Sequence, residues 1–165
     1  MADTNDTEYP NCGLYITGLG LEGHEDHLGK GVMVYFHNHS EAGPPLVLLP
    51  STNTNNRWTF QNQGHLIQDD GFINAMTAIP PEGFYRLQQH LHIDQNKTIP
   101  EQALVQLGYT RTGEPILFVP SLEGPNLSFP KTGFRWEDPQ VIFGSLAKDA
   151  LRILNIPAPE AQTLH

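Results

Sequence analysis

Val32-Met33-Val34-Tyr35-Phe36-His37 is the stretch on which the fold turns. Its β-branched and aromatic residues suit a pleated backbone, in which successive side chains point to opposite faces. Val32, Val34 and Phe36 share one face, and Met33 and Tyr35 share the other. Both faces are apolar, so the strand must be covered on two sides until the chain reaches His37. The interior of a sandwich or barrel meets that requirement.

Working outward, short apolar runs recur at residues 14–17, 46–49, 57–60, 65–68, 84–93, 103–109 and 116–119, separated by clusters rich in Gly, Pro and Asn. Several short runs spaced by turn signals are the mark of an all-β domain. Thr110, Arg111, Thr112 and Gly113 join the last two runs as a hairpin turn, and Asp69-Asp70-Gly71 signals another turn. Residues 72–79 fit either a strand or two helical turns.

Near the C-terminus the pattern changes period. Asp138 can cap free N–H groups, and Pro139 suits the first helical position. Phe143, Leu146, Ala147, Ala150, Leu151 and Leu154 then follow at the spacing of one helical stripe, with Lys148, Arg152 and Asn155 on the other side. The spacing predicts a helix over 139–155. The expected fold is thus mainly β, an antiparallel β-sandwich or small barrel with one C-terminal amphipathic α-helix. It occupies a single domain over residues 13–156, between a polar acidic tail at 1–12 and a short tail at 157–165.

Composition narrows the function. A chain of 165 residues is long enough for one core. Its net charge is −9 with only nine Lys plus Arg. That balance argues against nucleic acid, whose phosphates are bound by clustered cations, and against anionic membranes. No run approaches the ~18 apolar residues needed to span a bilayer, and the polar, acidic start lacks the pattern of a signal peptide. A cytoplasmic protein is expected. Cys12 is the sole cysteine, which excludes an intramolecular disulfide.

The eight histidines are the most informative residues. His24 and His27 stand three apart, in a Gly-rich loop with Glu22, Glu25 and Asp26 that reads first as solvated and second as a cation site. His90 and His92 alternate with Leu91 and Ile93 and are expected on a solvated face. His37 and His39 end the buried run, and alternate strand residues lie roughly 6.5 Å apart, near enough to reach one metal ion. They are the candidate metal ligands. Gly18, Gly20 and Gly23 match a dinucleotide-binding spacing, but the loop that follows does not read as the required helix.

Gly31 followed after five residues by His37-Asn38-His39 resembles the start of the first cupin motif, and Ile79-Pro80-Pro81-Glu82-Gly83 is similar to the turn of the second. The resemblance implies a β-barrel with two metal-binding histidines, His37 and His39. The chain departs from it where the carboxylate ligand is expected, at Gly43 and Pro44, and where the third histidine would fall, at Arg86.

No complete catalytic constellation is present, so an enzyme is not the first expectation. The first is a non-enzymatic β module acting through self-association or a protein partner. The alternative is a metal-binding or metal-dependent cupin-like barrel that holds a divalent metal through His37 and His39.

Overall fold

Residues 8–39 and 43–147 are described by the computed structural model of the chain. In chain order its elements are β1 (Gly13–Ile16), β2 (Met33–His37), β3 (Leu46–Leu48), β4 (Pro50–Thr54), β5 (Arg57–Phe60), β6 (His65–Leu66) and α1 (Asp70–Asn74). They continue with β7 (Thr77–Ala78), β8 (Gly83–Arg86), β9 (Leu91–His92), β10 (Thr98–Ile99), β11 (Leu104–Tyr109), β12 (Pro115–Phe118), β13 (Ser121–Glu123), β14 (Asn126–Ser128) and α2 (Pro139–Phe143). The protein is mainly β, and its strands pair antiparallel throughout.

The largest sheet has the order β6-β3-β2-β1-β7. Its central strand β2 is covered on both faces, as its composition demands. Val34 and Phe36 belong to a buried cluster with Tyr15, Val47, Ile67, the α1 residues Phe72 and Ile73, and the loop residues Leu21 and Leu28. From the other face Met33 and Leu14 join Tyr85, Leu87, Val105, Leu107, Tyr109 and Leu117, the core of the three-stranded sheet β12-β11-β8. The described strands form no closed barrel, which corrects the small-barrel alternative. The edge strands β6 and β7 are two residues long, pair on one side only, and leave the sheet open.

Thr110 to Glu114 form the expected hairpin turn, with Thr110 N–H donating to Glu114 O at 2.9 Å and Gly113 N–H to Thr110 O at 2.9 Å. Gly113 has φ +86°, and a Cβ there would run into the Ile16 side chain, so glycine is required twice over. Strands β4 and β5 form a hairpin whose two turn residues, Asn55 and Asn56, both adopt left-handed φ (53° and 64°). Asparagine tolerates that region, and the resulting turn matches the twist of paired strands. The tip of this hairpin covers β11: Asn56 Nδ2 donates to Gln106 Oε1 and Gln106 Nε2 donates to Asn55 O, both at 3.0 Å. Arg111 ties the same hairpin to the β11–β12 turn, lying 5.1 Å from the Trp58 ring centroid and donating to Pro50 O and Ser51 O.

The ambiguous stretch 72–79 divides between two structures. Asp69 caps α1 through a bond from Phe72 N–H at 3.2 Å, and β7 follows. The C-terminal helix begins as expected, with Asp138 accepting from Gln140 N–H at 2.9 Å and Pro139 in the first turn. It stops at Phe143, well before the expected end. Gln88 N–H donates to Ser145 O at 2.7 Å and Ala147 N–H to Arg86 O at 2.8 Å, while Leu146 bridges Leu87. After Gly144 the backbone finds partners beside β8, and Leu146 reaches the same core as an extended residue that a helix would have brought there. Residues 148–155 of the expected helix, and the tail 157–165, lie outside the described residues.

Leu28 is fully buried although it lies in a loop rich in glycine and charge. Truncating such a side chain costs about 2–5 kcal/mol. Leu28→Ala is expected to lower the unfolding free energy in urea by that amount, and a change below about 1 kcal/mol would show that the loop is not packed as described.

Candidate metal centre

The loop between β1 and β2 is tied at its neck by Thr17. Its hydroxyl donates to Gly29 O at 2.6 Å and accepts from Val32 N–H at 2.9 Å, and Gly31 N–H donates to Thr17 O at 2.8 Å. Gly18 passes so close to the Ala75 carbonyl that a side chain there would collide with it. Leu21 and Leu28, bonded through Leu21 N–H to Leu28 O at 2.8 Å, sink into the sheet face. Between these two anchors the chain makes one helical turn, with His27 N–H and Leu28 N–H both donating to His24 O (3.2 and 2.7 Å). Residues three apart on such a turn lie on one side, so His24 and His27 meet.

The third histidine comes from the edge of the sheet. His65 pairs with Val47 across β6 and β3, so it lies on the face that Leu21 and Leu28 cover. Ring centroids are 5.4 Å apart for His24 and His27, 5.2 Å for His24 and His65, and 5.1 Å for His27 and His65. One nitrogen from each ring lies within 4.8 Å of the others. Tetrahedral zinc, with Zn–N near 2.05 Å, sets its ligand nitrogens about 3.3 Å apart.

Two features prepare the imidazoles as ligands. Asp26 Oδ1 lies 2.7 Å from His27 Nδ1, a contact in which the carboxylate accepts from Nδ1–H and Nε2 is the nitrogen that faces a metal. Burial pushes the His65 pKa below the usual histidine value, and the neighbouring His27 and His24 push it in the same direction. Both effects favour the neutral form of His65, the form with a lone pair to donate.

The expected pair, His37 and His39, sits elsewhere on the sheet. Their ring centroids are 6.1 Å apart, and no third ligand atom joins them at the spacing of the three-histidine group among the described residues. His37 Nδ1 instead lies 3.7 Å from Cys12 Sγ, which donates to Asn38 Oδ1 at 3.1 Å and accepts from Asn38 N–H at 3.3 Å. His90 and His92 are exposed, as their alternation predicts. Each is tied to its own surroundings, His90 Nδ1 accepting from Glu101 N–H and His92 Nδ1 lying 3.0 Å from Thr98 Oγ1. The glycines at 18, 20 and 23 open a turn and no longer helix. No protein-family model, curated protein or solved structure matches the chain.

A second ionisable group stands out in the turn before β8. Glu82 Oε2 accepts from Trp58 N–H at 2.9 Å, while its buried Oε1 has no partner among the described residues. Tyr85 and Tyr109 clamp this turn by donating to Pro81 O and Pro80 O, both at 2.6 Å. Burial raises the Glu82 pKa, only partly offset by the Trp58 N–H and by Arg57. A raised folded-state pKa favours folding most when the group is protonated, so this contribution is complete below about pH 4.5, the usual glutamate value, and is lost as pH rises through the folded value. Glu82→Gln keeps an acceptor for Trp58 N–H and removes the titration. Its stability should fall less than that of the parent protein between pH 4 and 8, and parallel stability–pH curves would exclude the buried carboxyl as the cause.

Proposed function

We propose that this protein is a β-rich module that binds one divalent transition metal through His24, His27 and His65. The observation that carries the proposal is the convergence of three imidazoles from a pinned loop and an edge strand. Imidazole ligands favour zinc, copper, nickel or cobalt, whereas calcium and magnesium take oxygen ligands. The acidic net charge of −9 favours the approach of cations and gives no support to a nucleic-acid or anionic-membrane partner. No helix among the described residues is long and apolar enough to cross a membrane. We read the two sheets that share the Met33 and Leu107 cluster as a sandwich, and the compartment as cytoplasmic.

Self-association or a protein partner is the second reading. It is favoured by the β13–β14 hairpin, where the cross-strand pair Leu122 and Leu127 is 76% and 51% exposed.

Calorimetric titration with zinc, with elemental analysis of the dialysed protein, tests the metal proposal. One equivalent per chain is expected. His24→Ala and His65→Ala should each weaken binding at least tenfold, about 1.4 kcal/mol, while a His37→Ala/His39→Ala variant should bind as the parent does. Absence of uptake, or undiminished uptake by His65→Ala, would overturn the assignment. Dependence on His37 and His39 would move the centre to that pair. Asp26→Asn should weaken binding by about 10–100-fold through the orientation of His27 alone.

A further inference from the structure

We infer that the metal held by His24, His27 and His65 keeps one coordination position open to an exogenous ligand, a hydroxide or another small anion. The centre is then a Lewis-acid site and not a structural clip. This inference rests on the metal-binding proposal above and adds to it the class of ligand the centre takes.

The ligand count comes first. Zinc in a structural site is closed by four protein ligands, whereas three ligands leave a position for water or substrate. Among the described residues the group contains three histidines and no fourth His, Cys, Asp or Glu at ligand spacing. The Asp26 carboxylate is engaged with His27 Nδ1 at 2.7 Å and orients that ring from behind.

The scaffold points the same way. Structural zinc sites supply folding energy that small domains lack. Here the loop is already held by buried Leu21 and Leu28 and by both hydrogen bonds of the Thr17 hydroxyl. The loop that carries His24 and His27 therefore has anchors of its own, apart from any metal.

Access and charge complete the case. His24 is exposed and the His27 side chain is 39% exposed, so solvent reaches the centre. Three neutral imidazoles leave the full double positive charge on a divalent ion, where thiolate or carboxylate ligands would cancel part of it. That charge draws an anion to the open position, or releases a proton from bound water to solvent with a pKa lowered to about 7.

Cobalt(II) in place of zinc reports coordination through its visible absorption. The full chain loaded with one equivalent of cobalt is titrated with sodium azide at fixed pH, and separately with base from about pH 6 to 9. The expected result is a spectral change that saturates at one azide per cobalt, together with a single pH-dependent transition that azide suppresses. Cobalt bound at one equivalent with a spectrum indifferent to azide and to pH would mean a closed site, overturning this inference while leaving the metal centre in place. Failure to bind cobalt or zinc at all would overturn both. His65→Ala serves as the control, and an azide response that persists in it would show that the responding cobalt lies elsewhere.

Discussion

Leu21 and Leu28 are the two apolar side chains that a glycine-rich, charged loop gives up to the core, and the rest of the molecule's chemistry depends on their burial. Without them the segment between β1 and β2 would be a solvated excursion, and its histidines would sample many orientations. With both leucines sunk against Val34, Phe36 and Val47, the intervening turn has little freedom left. His24 and His27 are then delivered to the sheet edge where His65 stands. A packing interaction of ordinary kind thus fixes a polar constellation that none of its members could hold alone.

The apolar demand of β2 explains why two separate clusters exist. A strand with one polar face could have rested on a single layer. Val34 and Phe36 need the loop and α1 on one side, while Met33 and Tyr35 need the three-stranded sheet on the other. The same logic accounts for β11, where Val105, Leu107 and Tyr109 enter the shared core. Gln106, on its opposite face, is buried only because Asn55 and Asn56 satisfy both ends of its amide.

Much of this was legible in the residues. The facing of β2, the hairpin turn at Thr110 to Gly113, the Asp138 cap and the solvated side of His90 and His92 all follow from local period and local chemistry. What escaped has a physical reason in each case. Strand β4 reads Pro-Ser-Thr-Asn-Thr and has no apolar alternation, because its pairing with β5 supplies backbone bonds and little burial. The end of α2 at Phe143 is not readable locally, because Leu146 fits a helical stripe and a core-facing bridge equally well, and only the flank beside β8 decides between them. His37 and His39 are legible as a pair from local spacing, whereas the grouping of His24, His27 and His65 needs a residue from a distant edge. His65 lay in a run legible as a strand, but its register against Val47 is a tertiary fact. The contact between Cys12 and His37 was hidden in the same way.

The bridge from Ser145 to Ala147 has a consequence for the molecule's colloidal behaviour. Exposed β-edges template the addition of further chains, and natural sheets protect them with charges, bulges or a covering segment. Here the final described residues cover the flank of Arg86 to Gln88 by taking up its free amide and carbonyl groups. Residues 145–147 thereby leave less of that edge open to pairing with a further chain.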